Sequence, residues 1–299
     1  MNEEPILTSP AKVLSARGNH AAEEARNLPR IRNLIAVGSG KGGVGKTWFS
    51  ITLSQALALT GDRVLLVDGD LGLANVDVQL AMGPERDLAS VVTGRVKLAD
   101  AITPFDGGAG AMDSEISANA GRQLRGFDVL AGRSGSGTLD GMNRKQIALL
   151  CTELCKLSVL YDHVIVDLAA GMNTHMMPIF QQIGRVLIVV TDDPTSITDA
   201  YAFLKSLVTR FPNIDIDIVV NRAESDKAAE KTYGAVKRAS EHFLQFCPQL
   251  LGAIHNDKSV ASAIRAQAPL LTRHPQSVAA DNVRKIAASL RPKSPRGLI

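Results

Sequence analysis

One glycine-rich segment of the sequence combines residue types that bind phosphate. Residues 38–47 read GSGKGGVGKT, and the last eight of them fit the pattern Gly-x-x-x-x-Gly-Lys-Thr. Glycines let consecutive backbone N–H groups turn inward around an anion, and the N-terminus of a following helix adds the positive end of its dipole. In such a loop Lys46 reaches the β- and γ-phosphates of a nucleotide, and the Thr47 hydroxyl ligates Mg2+. The segment therefore predicts a site for ATP and Mg2+, with a merely flexible glycine turn as the alternative.

Three carboxylates follow apolar, strand-like runs. Asp68 and Asp70 come after one such run, and Asp167 ends another. Ligands of open α/β sheets bind at the carboxyl edge of the strands, so these side chains are expected to lie beside the phosphate-binding segment. A carboxylate there can orient the attacking water or hold a Mg2+-bound water. The expected metal-side residues are Thr47, Asp68, Asp70 and Asp167.

The surrounding pattern alternates short apolar runs with amphipathic segments of helix length. The runs expected to form strands cover residues 34–37, 64–68, 127–130, 164–167, 186–190, 216–221 and 250–254. Segments 46–60, 144–160, 195–210 and 226–246 carry apolar residues at spacings of three and four, which is typical of helices. This alternation predicts an α/β fold: one P-loop NTPase domain with a mostly parallel, twisted sheet of about seven or eight strands and helices on both faces.

The domain organisation follows from shifts in composition. We expect a flexible N-terminal extension over residues 1–30, one P-loop domain over residues 31–290 and a basic C-terminal tail over residues 291–299. Residues 104–126 are rich in Gly, Ala and Ser, and are expected to form a surface insertion between a helix and the next strand.

Composition favours an ordinary cytosolic globular protein. Hydrophobic residues make up 45% of the chain and charged residues 21%. The N-terminus lacks the residue order of a secretory signal, and no apolar run approaches the roughly 18 residues that a membrane-spanning helix needs. The net charge of +3 permits an anionic partner but does not demand nucleic acid.

The three cysteines argue against a disulfide framework because their number is odd. Cys151 and Cys155 are four residues apart within an apolar, helix-like stretch. We expect them to be core residues, with a metal or redox pair as the alternative.

Lys41 gives the phosphate-binding segment a second lysine, which an ordinary P-loop does not need. The heptapeptide KGGVGKT, residues 41–47, resembles the deviant Walker A motif of the MinD/ParA ATPases. The resemblance implies that Lys41 reaches across a dimer to the α- and γ-phosphates of the partner's ATP. It also implies that Asp70 positions the attacking water and that Asp68 is a metal-side or structural partner. The expected catalytic residues are Asp70, Lys41 and Lys46.

The same resemblance extends to later segments. The strand ending in Asp167 and the following LAAGMNTH look like switch II, where Gly171 lets the backbone approach the γ-phosphate. Asn221, in the strand end VVNR, is implied to hydrogen-bond the adenine edge. The residues expected to contact the nucleotide are Gly40, Lys41, Gly42, Gly43, Val44, Gly45, Lys46, Thr47, Trp48, Gly171, Asn221 and Arg222.

Within that family, two stretches resemble the flagellar-number regulators FlhG, FleN and YlxH. They are DGDLGLANVDVQLAMGPERDLASVVTG at residues 68–94 and VLAGRSGSG at residues 129–137. The resemblance implies slow ATP hydrolysis, an ATP-dependent homodimer, and an FlhF-like GTPase, flagellar basal-body proteins or a transcriptional regulator as partner. It also implies peripheral contact with the inner face of the cytoplasmic membrane, which the tail 291–299 favours only weakly.

The sequence leaves two alternatives open, one for the function of the chain and one for the position of its last helix. A ParA-type protein that binds DNA non-specifically is the alternative function, less favoured because basic residues are spread along the chain except over 284–296. The apolar stripe of Val278, Val283, Ile286 and Leu290 fits either a membrane-targeting helix or a helix packed on the sheet. A cluster-carrying relative is excluded because LAAGMNTHMMP contains no cysteine.

Overall fold

The computed structural model describes residues 30–70, 72, 74–107, 126–132, 144–171 and 179–291. Its strands are β1 (Ile31–Ser39), β2 (Val64–Gly69), β3 (Thr103–Phe105), β4 (Phe127–Leu130), β5 (His163–Ala170), β6 (Ile183–Val190), β7 (Asp215–Ala223) and β8 (Gln249–His255). They form a single sheet in the order β3-β4-β2-β5-β1-β6-β7-β8. All neighbouring strands pair in parallel except β3, which runs antiparallel to β4 at one edge.

The α-helices are α1 (Lys46–Leu59), α2 (Val76–Gln79), α3 (Leu88–Val92), α4 (Arg144–Ser158), α5 (Pro194–Arg210), α6 (Asp226–Leu244), α7 (Lys258–Arg265), α8 (Leu270–Arg273) and α9 (Val278–Leu290). A 3-10 helix, Leu98–Ala101, precedes β3. Side chains cap several N-termini, as at α5, where the Asp193 carboxylate accepts the N–H of Thr195. At the C-terminus of α6, Gln245 takes a left-handed conformation with φ of 52°. The helix therefore ends at Leu244, two residues before the predicted end at residue 246.

The sheet buries both of its faces. Along β1, Leu34 and Ala36 pack on one side with α3, α4, α5 and α6. Ile35 and Val37 pack on the other side with α1, α2, α7, α8 and α9. Because both faces are covered, the central strands read as continuous apolar runs rather than alternating ones. The predicted α/β fold, with helices on both faces of a mostly parallel sheet, is confirmed.

Two residues of the stripe on α9 lie in this core, whereas Leu290 is partly buried against it and Val278 is 56% exposed. Val283 is completely buried and Ile286 is 1% exposed, so the helix packs on the sheet. Within the described ranges, no helix has the length and apolar character needed to cross a bilayer. Of the two cysteines expected in the core, Cys151 is buried, and burial raises the pKa of its thiol to about 12, whereas Cys155 is only half-buried.

The sequence missed one strand. Thr103–Phe105 pairs with β4, so the first two residues of the expected insertion 104–126 are part of the sheet. A three-residue strand is too short to show the alternation of apolar and polar residues that marks a strand. Pro104 at its centre has no N–H to donate, and an edge strand tolerates this because one of its sides has no partner strand. Residues 108–125 lie outside the described residues, as do 1–29 of the expected extension and 292–299 of the expected tail.

Candidate functional site

The phosphate-binding loop joins β1 to α1 at the carboxyl edge of the sheet. Two of its glycines are required by their surroundings. A Cβ on Gly40 would collide with the backbone carbonyl of Asp199 in α5. Gly45 has φ of 94°, and a Cβ there would lie 2.5 Å from the amide nitrogen of Asn221. The shape of the loop therefore depends on glycine at these positions. Because glycine has no side chain, the backbone N–H groups of the loop are the groups available to bind an anion.

Lys46 is the first residue of α1, and its side chain is only 9% exposed. Burial lowers the pKa of its ammonium, while the nearby carboxylates of Asp167 and Asp70 act in the opposite direction. A buried lysine compensated in this way can transfer its interactions to the phosphate oxygens of a bound nucleotide.

Thr47 and Asp167 form the part of the site suited to a magnesium ion. The Thr47 hydroxyl donates to one oxygen of the Asp167 carboxylate at 2.6 Å, and the Ser50 hydroxyl donates to the other at 3.0 Å. Burial raises the pKa of Asp167 to about 6, although both hydroxyl bonds and Lys46 lower it. Strand pairing of Val37 with Asp167 brings this carboxylate beside the phosphate loop. Hydroxyl and carboxylate oxygens are the ligands that Mg2+ prefers, so the residues present fit that ion.

Asp68 organises the segment that follows β2. Its carboxylate accepts the backbone N–H groups of Asn75 and Val76, each at 3.0 Å, and that of Asp70 at 3.2 Å. Burial and the proximity of Asp167 raise the pKa of Asp68 to about 7, against the effect of these hydrogen bonds. The geometry supports the structural role of the two considered for Asp68. Its metal-side role stays a prediction.

Asp70 directly follows β2, two residues after Asp68. One carboxylate oxygen accepts the N–H of Gly72 at 3.3 Å, and the charge of Asp70 acts on Lys46. Asp70 is half-buried, unlike the fully buried Asp68. Asp70 is therefore the one of the two carboxylates that solvent can reach, and its role toward water and nucleotide stays a prediction.

Lys41 lies apart from Lys46 and its carboxylates. Its ammonium contacts a carboxylate oxygen of Asp193 at 2.5 Å and also the hydroxyl of Thr195, both at the start of α5. This contact holds the pKa of Asp193 at about 2, well below its usual range. Asp193 was not predicted as a site residue. In the sequence it stands out only as the first residue of Asp-Pro-Thr, a common pattern for capping the start of a helix.

Asn221 on β7 and Gly171, which directly follows β5, support the phosphate loop. The Asn221 amide donates to the carbonyl of Val44 at 2.7 Å, and its oxygen accepts the N–H of Arg222 at 2.9 Å. Gly171, with φ of 76°, donates its N–H to the carbonyl of Ser39 at 2.7 Å. The structure thus brings both residues to the loop, where they fix its backbone. The adenine contact of Asn221 stays a prediction.

The side chain of Trp48 belongs to the core rather than to the open site. It is 5% exposed and packs among the apolar residues under α1. Its indole nitrogen is buried without a hydrogen-bond partner among the described residues. Any contact of Trp48 with a nucleotide is therefore expected from its backbone at the first turn of α1.

The chain is similar to known nucleotide-binding proteins in both sequence and fold. The family model described as the CobQ/CobB/MinD/ParA nucleotide binding domain matches residues 35–270. Over 268 residues, the chain is 34% identical to the antiactivator FleN of Pseudomonas aeruginosa, covering 88% of this chain and 89% of that protein. It is 28% identical to the flagellum site-determining protein YlxH of Helicobacter pylori, covering 94% and 93%. The septum site-determining protein MinD of Pyrococcus horikoshii, solved with Mg-ADP, superposes with a TM-score of 0.66 over 85% of this chain and 94% of that one, at 23% identity.

Proposed function

We propose that this chain, which belongs to the CobQ/CobB/MinD/ParA nucleotide-binding family, is an ATPase that hydrolyses ATP slowly and forms a homodimer when ATP is bound. One observation carries the proposal: the two lysines of the phosphate loop have different surroundings. Lys46 is buried beside Asp167 and Asp70, whereas Lys41 is partly exposed and contacts Asp193 at the start of α5. One lysine is thus available to the chain's own nucleotide and the other to a second molecule.

Each residue of the site has a defined task in this proposal. The loop amides and Lys46 bind the β- and γ-phosphates of ATP. Thr47 and Asp167 hold Mg2+, which neutralises charge on the phosphates when it is bound. Asp70 orients the attacking water, and Asp68 keeps the segment from Asp70 to Val76 in place through three backbone hydrogen bonds. The catalytic contribution of the chain is therefore positioning and electrostatic stabilisation.

The contact between Lys41 and Asp193 is weak enough that moving Lys41 to a partner subunit costs little free energy. Both side chains are partly exposed, at 36% and 45%. Ion pairs of this exposure contribute little to stability because solvent screens them, whereas contact between a cation and phosphates enclosed by two subunits is stronger. A second ATP-loaded copy can therefore displace Asp193 and take up Lys41, and this exchange couples nucleotide state to assembly.

Lys41→Ala is expected to bind Mg·ATP with nearly wild-type affinity and to remain monomeric. The reason is that the substitution removes the charge offered to the partner while Lys46 and the loop amides stay intact. Light scattering with Mg·ATP measures the outcome. Lys205→Ala, which removes an exposed lysine from the same helix as Asp193, is the matched control and should dimerise normally.

A second variant tests the other end of the contact. Asp193→Asn keeps a good helix cap but removes the charge that holds Lys41, so it should dimerise at least as readily as the wild type. ATP-dependent dimers of Lys41→Ala, or loss of dimers in Asp193→Asn, would contradict the assigned role of Lys41.

The names of the relatives suggest a cellular role. One is called an antiactivator and another a flagellum site-determining protein, and both align with most of this chain. We propose that the switch sets flagellar number or placement at the inner face of the cytoplasmic membrane, through an FlhF-like GTPase, basal-body proteins or a transcriptional regulator. Cells lacking the chain should show an altered number of flagella. Normal flagella together with faulty DNA partitioning would instead favour the DNA-binding alternative.

A further inference from the structure

An apolar groove lies on the side of the sheet that carries α3 and α4, away from the phosphate loop. It has a volume of about 560 Å³ and runs between the segment from α3 to the 3-10 helix and the outer face of α4. Aliphatic side chains form most of its walls, among them Val91, Val92, Val96, Leu98, Leu149 and Leu157. The amide of Gln146 donates to the carbonyl of Val92 at 3.3 Å and ties the two walls together. The two walls of the groove are therefore held together by a direct hydrogen bond.

Three large apolar side chains at this groove face solvent. Leu149 is 63% exposed, Val159 is 77% exposed and Leu160 is 54% exposed. Contiguous exposed apolar surface on a soluble domain usually marks a place where another segment binds. Covering it gains roughly 25 cal/mol for each Å2 removed from water, so the groove favours an apolar occupant.

The chain itself supplies such an occupant next to the groove. The Asn33 amide, near the start of β1, donates to the carbonyls of Ser158 at 2.8 Å and Tyr161 at 2.9 Å. These two residues flank Val159 and Leu160 at one end of the groove. Residues 1–29 join the described chain at Arg30, which lies three residues before Asn33 and hence within about 10 Å of it, although the Arg30 guanidinium itself donates to the carbonyls of Phe180 and Ile183. The 15 residues of α4 extend only about 22 Å, whereas 29 residues can span up to about 100 Å. The N-terminal segment is therefore long enough to follow the whole groove.

The sequence of that segment complements the groove in apolar character and charge. Its first half reads MNEEPILTSPAKVL, in which Glu3 and Glu4 precede two pairs of apolar residues at 6–7 and 13–14. The rim of the groove carries Lys97 and Lys156. Lys156 pairs with Glu153, but Lys97 forms no ion pair with any residue that the structure describes. An acidic segment followed by aliphatic pairs matches an apolar groove with a basic rim.

We propose that residues 3–14 bind in this groove of the same chain, with the aliphatic pairs against Leu149 and its neighbours and the glutamates beside Lys97. The binding covers apolar surface that is otherwise exposed, and it makes the N-terminal segment part of the folded domain. This inference concerns a surface apart from the nucleotide site and does not depend on the proposed function.

Hydrogen exchange of the full-length chain, followed by mass spectrometry, tests the proposal. In the wild type, amides of residues 3–14 should exchange at least about tenfold more slowly than in Leu149→Glu, because the charge blocks the groove. Leu149 is mostly exposed, so this substitution should leave the melting temperature nearly unchanged. Phe243→Glu replaces another exposed apolar residue, 69% exposed on α6, and should keep the protection. Equal exchange of residues 3–14 in the wild type and Leu149→Glu would overturn the proposal.

A charge exchange tests the orientation of the segment. Lys97→Glu should reduce the protection, and Lys97→Glu combined with Glu3→Lys and Glu4→Lys should restore it. A nucleotide-free dimer that Leu149→Glu dissociates, with residues 3–14 unprotected, would assign the groove to a second copy and overturn the proposal.

Discussion

Lys46→Ala is expected to abolish measurable binding of Mg·ATP. Removing one partner of a buried, charge-assisted contact costs about 2–5 kcal/mol, which corresponds to a loss of affinity of roughly 30- to 4,000-fold. Lys46 is the buried cation of the site, and its removal also leaves the charges of Asp167 and Asp70 facing the phosphates. Both effects act in the same direction. Titration calorimetry with Mg·ATP measures the result.

Controls separate lost binding from lost folding. Lys46 compensates two carboxylates, so the thermal unfolding of Lys46→Ala must be measured beside its binding. Lys237→Ala breaks an exposed ion pair with Glu241 on α6 and should bind ATP as the wild type does. A folded Lys46→Ala protein that still binds Mg·ATP tightly would remove the phosphate loop from the proposed function.

Asp70→Ala is expected to lose ATP hydrolysis by about 100-fold or more while still binding ATP and forming the dimer, because a positioned base or water-orienting group contributes roughly 100- to 10,000-fold. The Asp70 side chain accepts the N–H of Gly72 at 3.3 Å and its charge acts on Lys46, so the thermal unfolding of Asp70→Ala must be measured beside its turnover. A phosphate-release assay at saturating ATP measures the turnover.

The neighbouring segment provides the matched control for this variant. Asp77→Ala removes a carboxylate whose described hydrogen bond is to the N–H of Val78, and it should hydrolyse ATP at the wild-type rate. Normal turnover by Asp70→Ala would show that Asp70 does not act in the reaction. Asp167 would then be the next carboxylate to test, because its oxygens already hold the Thr47 hydroxyl.

The sequence predicted the framework of the site well because its signals are local. Each of the seven predicted strands lies inside an observed strand, and β4 was predicted with its observed ends, since buried parallel strands read as short apolar runs between turns. The glycines of the phosphate loop were equally readable. β3 was missed because its three residues lie at an edge and include a proline.

The contacts that tune the site could not be predicted because they join residues distant in sequence. Lys41 and Asp193 are 152 positions apart, and Asn221 and Val44 are 177 positions apart. A helix cap or a strand-end asparagine does not reveal its tertiary partner. Trp48 was predicted to contact the nucleotide, but its side chain packs in the core, and that packing depends on helices distant in sequence that cover α1.

Sedimentation velocity of the wild-type protein shows whether ATP controls formation of the dimer. With Mg·ATP we expect a species of twice the 31.8 kDa mass of one chain, and with Mg·ADP we expect the single chain. The same mass in both nucleotide states, whether one chain or two, would contradict the switch.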